Sequence, residues 1–241
     1  MKQKGFRYLA WVPKPKPRTD VDKAAGGDYE AMKRVRSKRG FNVFIDVLDS
    51  DSERDQAAVT AGDDPNSAIR ESLSKAQSRS YDKALNGCQV KAVKDVTGKN
   101  ISSMADEFEQ YETSYKAAVE RELNGDPELV ELASAMGDCL KGKGYRVDSV
   151  SPTGMSERGY REFSARMNAI AKKQGLVDAG ADDNTVYRPR LSQAEANKYL
   201  AEETKAALDD LECGKSFYAD FGPKAGGIAA RLDSEFGRWT L

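Results

Sequence analysis

Residues 100–123 read NISSMADEFEQYETSYKAAVEREL, and this stretch decides the fold. Met104, Phe108, Tyr111, Tyr115 and Ala118 recur at alternating spacings of four and three, which lays them along one stripe of a helix. The stripe predicts a core-facing helix; the competing use of Met104, Phe108, Tyr111 and Tyr115 is to line an apolar ligand groove. Glu107, Glu109, Glu112, Glu120 and Glu122 fall mostly on the polar face.

The same grammar continues outward. Asn124-Gly125 ends the helix, Asp126 caps the next, and Pro127 takes its first position, where a missing N–H costs nothing. Leu129, Leu132, Ala133, Met136 and Leu140 then share a face. A further helix is expected from Ser156 to Gln174, before Gly175. The capping box Ser192-Gln-Ala-Glu195 opens a long one through Leu200, Leu208 and Leu211 to Phe217, with a break at Gly222-Pro223. A last short helix carries Ile228, Leu232 and Phe236.

Upstream, a helix is expected from Asn66 to Leu85 with Asn86-Gly87 as its stop. Asp28 to Arg39 reads as a short basic helix stopped by Gly40. Pro13-Lys14-Pro15-Lys16-Pro17 reads as an extended polyproline-like segment. Phe41-Asn-Val-Phe-Ile-Asp-Val-Leu48 is the one β-like run, rich in β-branched and aromatic residues. The expected fold is therefore mainly α: an antiparallel array of long helices, with room for one short extended segment or hairpin near 41–48. It divides into an N-terminal segment, 1–100, and a helical domain, 101–241, or forms one continuous domain.

Composition narrows the chemistry. The chain has 241 residues, a net charge of −1, 32% charged residues and no histidine. Imidazole-dependent triads and His-ligated zinc sites are excluded, and three cysteines are too few for a thiolate metal centre. The balanced charge gives no reason to expect nucleic acid as a partner. No run is long and apolar enough to span a bilayer, and the start, MKQKGFRY, lacks the apolar core of a signal peptide.

Several motifs invite a function and fail on detail. Cys213-Gly-Lys-Ser216 has Asp209 where a phosphate loop needs its first Gly. Asp46, Asp49, Asp51, Glu53 and Asp55 are acidic, but Arg54 and Thr60 stand where a calcium loop needs Gly and Glu. Lys33, Arg34, Arg36, Lys38 and Arg39, with Lys14, Lys16 and Arg18 upstream, form the densest basic run and are the candidate anion-binding patch. The glutamates of 107–122 are the candidate carboxylates of a His-independent hydrolase. Trp11 and Trp239 carry no assignment. No cofactor is implied.

A short repeat bears on the cysteines. Residues 1–8, MKQKGFRY, match residues 140–147, LKGKGYRV, with Lys, Lys, Gly and Arg in register. The second copy follows Cys139; the same register sets a cysteine immediately before Met1. Cys88 and Cys213 each follow a helical run. The simplest pairing joins Cys139 to Cys213 and leaves Cys88 for the missing partner. A bridge closing about 75 residues stabilises by roughly 4 kcal/mol on a chain-entropy account. The alternative is three reduced, buried cysteines.

The run Gly137-Asp-Cys139-Leu-Lys-Gly-Lys-Gly144-Tyr145, the later Ala207-Leu-Asp-Asp-Leu-Glu-Cys213, and Tyr81-Asp-Lys-Ala-Leu-Asn-Gly87 resemble elements of a group of uncharacterised actinobacterial secreted proteins and lipoproteins. That group has Cys-(Met/Leu)-x-x-x-Gly-(Tyr/Phe) and Asp-x-x-Cys elements. The resemblance implies export and disulfides but no reaction. The expected function is a non-enzymatic, extracytoplasmic protein binding a cell-envelope or protein partner. The alternatives are a small-molecule or lipid carrier with an apolar cavity between helices, and the His-independent hydrolase. The alternative compartment is the cytoplasm.

Overall fold

The computed structural model describes residues 1–11, 18–48, 64–177 and 186–238. The proline segment 13–17, the acidic residues Asp49, Asp51, Glu53 and Asp55, and Trp239 lie outside them. The fold is mainly α, with no strand among the described residues.

A 3₁₀ turn at Lys2–Lys4 precedes α1 (Asp20–Ala25), α2 (Tyr29–Arg39), α3 (Ile45–Leu48), α4 (Ser67–Glu71), α5 (Lys75–Thr97) and α6 (Met104–Val119). A π turn at Glu120–Asn124 leads to α7 (Pro127–Gly142), followed by α8 (Pro152–Lys173), α9 (Gln193–Cys213) and α10 (Lys215–Glu235). The starts at Asp126 and Ser192 follow the capping chemistry read above, and Asp28 adds a third cap. Asp28 accepts from Ala31 N–H, Asp126 accepts from Glu128 and Leu129 N–H, and Ser192 and Glu195 cap reciprocally.

Two compact units emerge. One comprises Met1–Pro17, Glu53–Ala118 and Gly227–Leu241; the other comprises Arg18–Ser52 and Val119–Gly226. The boundary expected near residue 100 falls inside the first unit.

The second unit is organised around α9, which packs on α2, α3, α7 and α8. Its core includes Leu129, Met136 and Leu140 of α7, Met155, Phe163 and Met167 of α8, and Ala206, Ala207 and Leu211 of α9. In the first unit Tyr81, Ile101, Ile228, Leu232 and Phe236 are buried, and Phe6 meets Tyr81 edge-on with ring centres 5.3 Å apart.

Four local expectations are corrected. The β-like run 41–48 is a turn followed by α3, because its backbone donors go to one side chain: Phe41, Val43 and Phe44 N–H all donate to the Glu203 carboxylate. Gly40 opens this turn with a φ of 58°, and a Cβ there would stand 2.6 Å from Glu203 Cγ. Helix α5 runs straight through Asn86-Gly87 and stops at Gly98, whose left-handed conformation (φ 72°) ends it. At Gly87 an added Cβ meets nothing within 4 Å; the Asn86 side chain accepts from Met104 N–H at the start of α6. Helix α10 likewise continues through Gly222-Pro223; the break expected there falls instead at Gly214, between α9 and α10. The Ala25–Gly27 turn packs on Gly222, where a Cβ would lie 2.6 Å from Gly27 N. Finally, Phe108 of the stripe is 55% exposed, and it is Glu107 that is buried.

Candidate functional site

Helix α9 presents Ala196, Glu203 and Asp210 at intervals of seven, one face in helical register, and all three are buried. Two carboxylates on an apolar face are the feature that composition and charge counting passed over. A scan for charged residues at core-facing heptad positions finds both.

Asp210 has no exposed surface. Arg36 of α2 donates to its Oδ1 at 2.7 Å, Tyr218 of α10 donates to the same oxygen at 2.6 Å, and Arg158 of α8 donates to Oδ2 at 3.1 Å. Arg36 also caps the Ala207 carbonyl at 3.1 Å and lies over the Tyr218 ring at 4.5 Å. Burial pushes the Tyr218 hydroxyl well above its ordinary range, with the Asp210 charge next in weight. Arg158 turns a second nitrogen to Glu162 at 2.9 Å, while its Nε is buried without a partner among the described residues. One carboxylate thus pins three helices to α9.

Glu203 performs the second tie. Its Oε1 accepts from Phe41 and Val43 at 2.7 and 2.9 Å, and its Oε2 from Phe44 at 2.8 Å. Burial raises its carboxyl above the usual range, with the three N–H donors pulling the other way.

Cys139 at the end of α7 is bonded to Cys213 at the end of α9, with α-carbons 5.6 Å apart. Beside the bridge, Asp209 accepts from Lys205 at 2.8 Å, from Tyr145 at 2.6 Å and from Lys143 at 3.0 Å. Lys205 first, then Tyr145, holds the Asp209 carboxyl far below the carboxylate range; Glu212 and Asp209 raise Lys143 to about 12.

A surface cleft of about 360 Å³ opens next to this framework. Arg146, Ser149, Arg158, Arg161 and Glu162 are among the residues lining it. Arg146 pairs with Asp148 at 2.6 Å, and Arg161 donates to the Gly154 carbonyl at 2.8 Å. The cleft therefore carries both charge signs, each held in place.

Two residues of the basic run on α2 are held by carboxylates. Arg36 points inward to Asp210, and Arg34 makes a two-pronged pair with Asp20 at 2.8 and 2.9 Å. Lys33 and Lys38 are exposed, and Arg39 is half-buried.

In the first unit, Glu107 is buried under Arg238, which donates to both carboxylate oxygens at 2.8 and 3.0 Å and lies 3.8 Å from the centre of the Tyr111 ring. A carboxylate so engaged is a structural anchor. Of the other glutamates in the run, Glu109 and Glu120 are exposed, and Glu112 and Glu122 are half-buried. An open surface pocket of about 530 Å³ in this unit is lined by Phe6, Leu9, Ile69 and Tyr81 together with the polar Arg7 and Gln77, among others. Cys88 is a free thiol whose sulfur lies 3.4 Å from the Met1 nitrogen.

Among the described residues no helix is long and apolar enough to cross a membrane, and no three His, Cys, Asp or Glu side chains gather as metal ligands. No protein-family model, curated protein or solved structure matches the chain.

Proposed function

We propose that this chain works outside the reducing cytosol, in the cell envelope, as a non-enzymatic protein that binds a protein or envelope partner. The observation that carries the reading is the Cys139–Cys213 bridge, which ties the ends of two core helices. Such bridges persist in oxidising compartments and are reduced in the cytosol. The resemblance to secreted actinobacterial proteins and lipoproteins points the same way.

The buried charges of the second unit support binding rather than catalysis. Asp210 and Glu203 are fully occupied by donors within the fold, so neither is offered to a substrate. The Arg146–Arg158–Arg161 cleft, with Asp148 and Glu162 among its charges, has the mixed polar character of a docking face. Its partner presents complementary groups of both signs.

The test is a photocrosslinking residue at Ala165, on the cleft wall, in cells of the native host. One discrete crosslinked species is expected. It disappears in the R146E/R161E double variant, which keeps the wild-type melting temperature. Absence of any crosslink, or one unchanged by the charge reversal, would count against docking at this face.

The open pocket over Phe6, Leu73 and Tyr81 supports carriage of a small molecule as a second reading, since its volume exceeds the roughly 300 Å³ at which ligand pockets begin. Native mass spectrometry of the purified protein should then show a co-purifying lipid-sized mass that Ile69→Glu removes. A single ligand-free mass would dispose of it.

A further inference from the structure

We infer that the open pocket of the first unit takes an aliphatic carboxylate, with its tail on the apolar wall and its head on donors that the fold leaves without partners. The inference rests on the small-molecule reading above and names the class of molecule carried.

The pocket walls are held in place by the fold itself. Asn66 is 5% exposed and fixes the segment before it at Leu9: its Oδ1 accepts from Leu9 N–H at 2.8 Å, and its Nδ2 donates to the Leu9 carbonyl at 2.9 Å. Three residues earlier, Phe6 stands edge-on to Tyr81 with ring centres 5.3 Å apart. Gln77 and Tyr81 lie one turn apart on α5 and share a face. Phe6, Leu9, Ile69 and Leu73 supply the apolar part of the wall.

The polar part is rich in donors. Tyr81 is only 1% exposed, yet its hydroxyl has no hydrogen-bond partner among the described residues. Folds rarely leave such a group unmatched. Burial pushes this hydroxyl above its ordinary range, so at neutral pH it keeps its proton and donates. Gln77 uses its carbonyl oxygen to accept from Ser74 N–H at 2.9 Å in the capping box, which leaves its NH₂ group to point elsewhere. Arg7 is exposed and pairs with no carboxylate among the described residues, whereas Arg70 is taken by Asp64 at 2.9 Å.

Among the described residues that line the pocket there is no carboxylate. Arg7 is the one charged side chain there, so a cationic head would meet like charge. A carboxylate has two acceptor oxygens and no donor, which suits a guanidinium, an amide NH₂ and a phenol together. The apolar wall beside these donors suits an aliphatic chain, because burying it removes hydrocarbon from water.

The experiment is a titration of the full chain with octanoate, and separately with octanamide, followed by backbone amide shifts in NMR. Octanamide keeps the chain and removes the charge. Shifts are expected at Phe6, Ile69, Leu73 and Gln77, with octanoate binding about tenfold more tightly than octanamide. Arg7→Gln, at an exposed position, should erase that preference and leave octanamide binding unchanged. Equal affinity for the two heads, or a preference that survives Arg7→Gln, would overturn the inference and leave the small-molecule reading standing. An absence of shifts at these residues with either compound would reject both.

Discussion

Arg36 and Asp210 lie 174 residues apart in sequence and 2.7 Å apart in space, joined where the carboxylate has no contact with solvent. The pair fixes α2 on α9, and Arg158 and Tyr218 complete it from α8 and α10. A buried ion pair owes its geometry to every donor being present; removing the shared acceptor takes from Arg36 its ion pair with Asp210 and leaves Arg158 with Glu162. Asp210→Ala should therefore destabilise the protein by about 3–5 kcal/mol in chemical denaturation. Asp210→Asn, which keeps one acceptor oxygen, should lose less. Equal and small losses for both would show that the cluster does not hold the helices.

Glu203 acts on backbone rather than side chains. Replacing it with Gln puts an NH₂ group where one of the three N–H donors now points, so donor faces donor. Glu203→Gln should cost about 1–3 kcal/mol, the desolvation penalty of an orphaned buried group. Amide exchange at Phe41, Val43 and Phe44 should accelerate relative to the rest of the second unit. Unchanged exchange at these three amides would contradict the assignment.

Asp209, beside the bridge, and Glu203, at the 41–44 turn, respond to pH with opposite signs. Asp209 is held below its unfolded value of about 3.9, so its contribution is complete above that value and is lost as pH falls through the folded one. Glu203 is raised, so its contribution is complete below about 4.3 and diminishes as pH rises through its folded value. Melting temperatures between pH 5 and pH 2 should fall for the native sequence, and Asp209→Asn should flatten that part of the curve. A profile unaltered by the substitution would refute the part given to Asp209.

Local chemistry was legible in the sequence. Asp126 and Ser192 cap the helices they were expected to cap, and Cys139 meets Cys213. What was hidden depended on long-range partners. Residues 41–48 have β-forming side chains, yet their donors are taken by a carboxylate about 160 residues away, so strand propensity had no partner to act on. Asn86-Gly87 carries a stop signal that the continuing helix overrides, with Asn86 bonded to the next helix instead. Arg36 sits among five basic residues and looks like solvated charge until Asp210 is placed beneath it. The candidate cleft was not legible, because Arg146 and Arg161 are spaced by a loop and a helix start whose path only the fold defines.

The bridge itself should be energetically visible. Its loop of 74 residues corresponds to roughly 4 kcal/mol of chain entropy. Cys139→Ser/Cys213→Ser should lower the denaturation midpoint accordingly, and dithiothreitol should then have no further effect on stability. A midpoint indifferent to the double substitution would remove the bridge as a brace.

Maleimide labelling of the unreduced protein from its native host, read by intact mass and peptide mapping, tests the central claim most directly. The account predicts that Cys139 and Cys213 stay unlabelled until a reductant is added and then take one label each. Immediate labelling of both in the unfolded but unreduced protein would contradict it, and the case for an extracytoplasmic role would go with it.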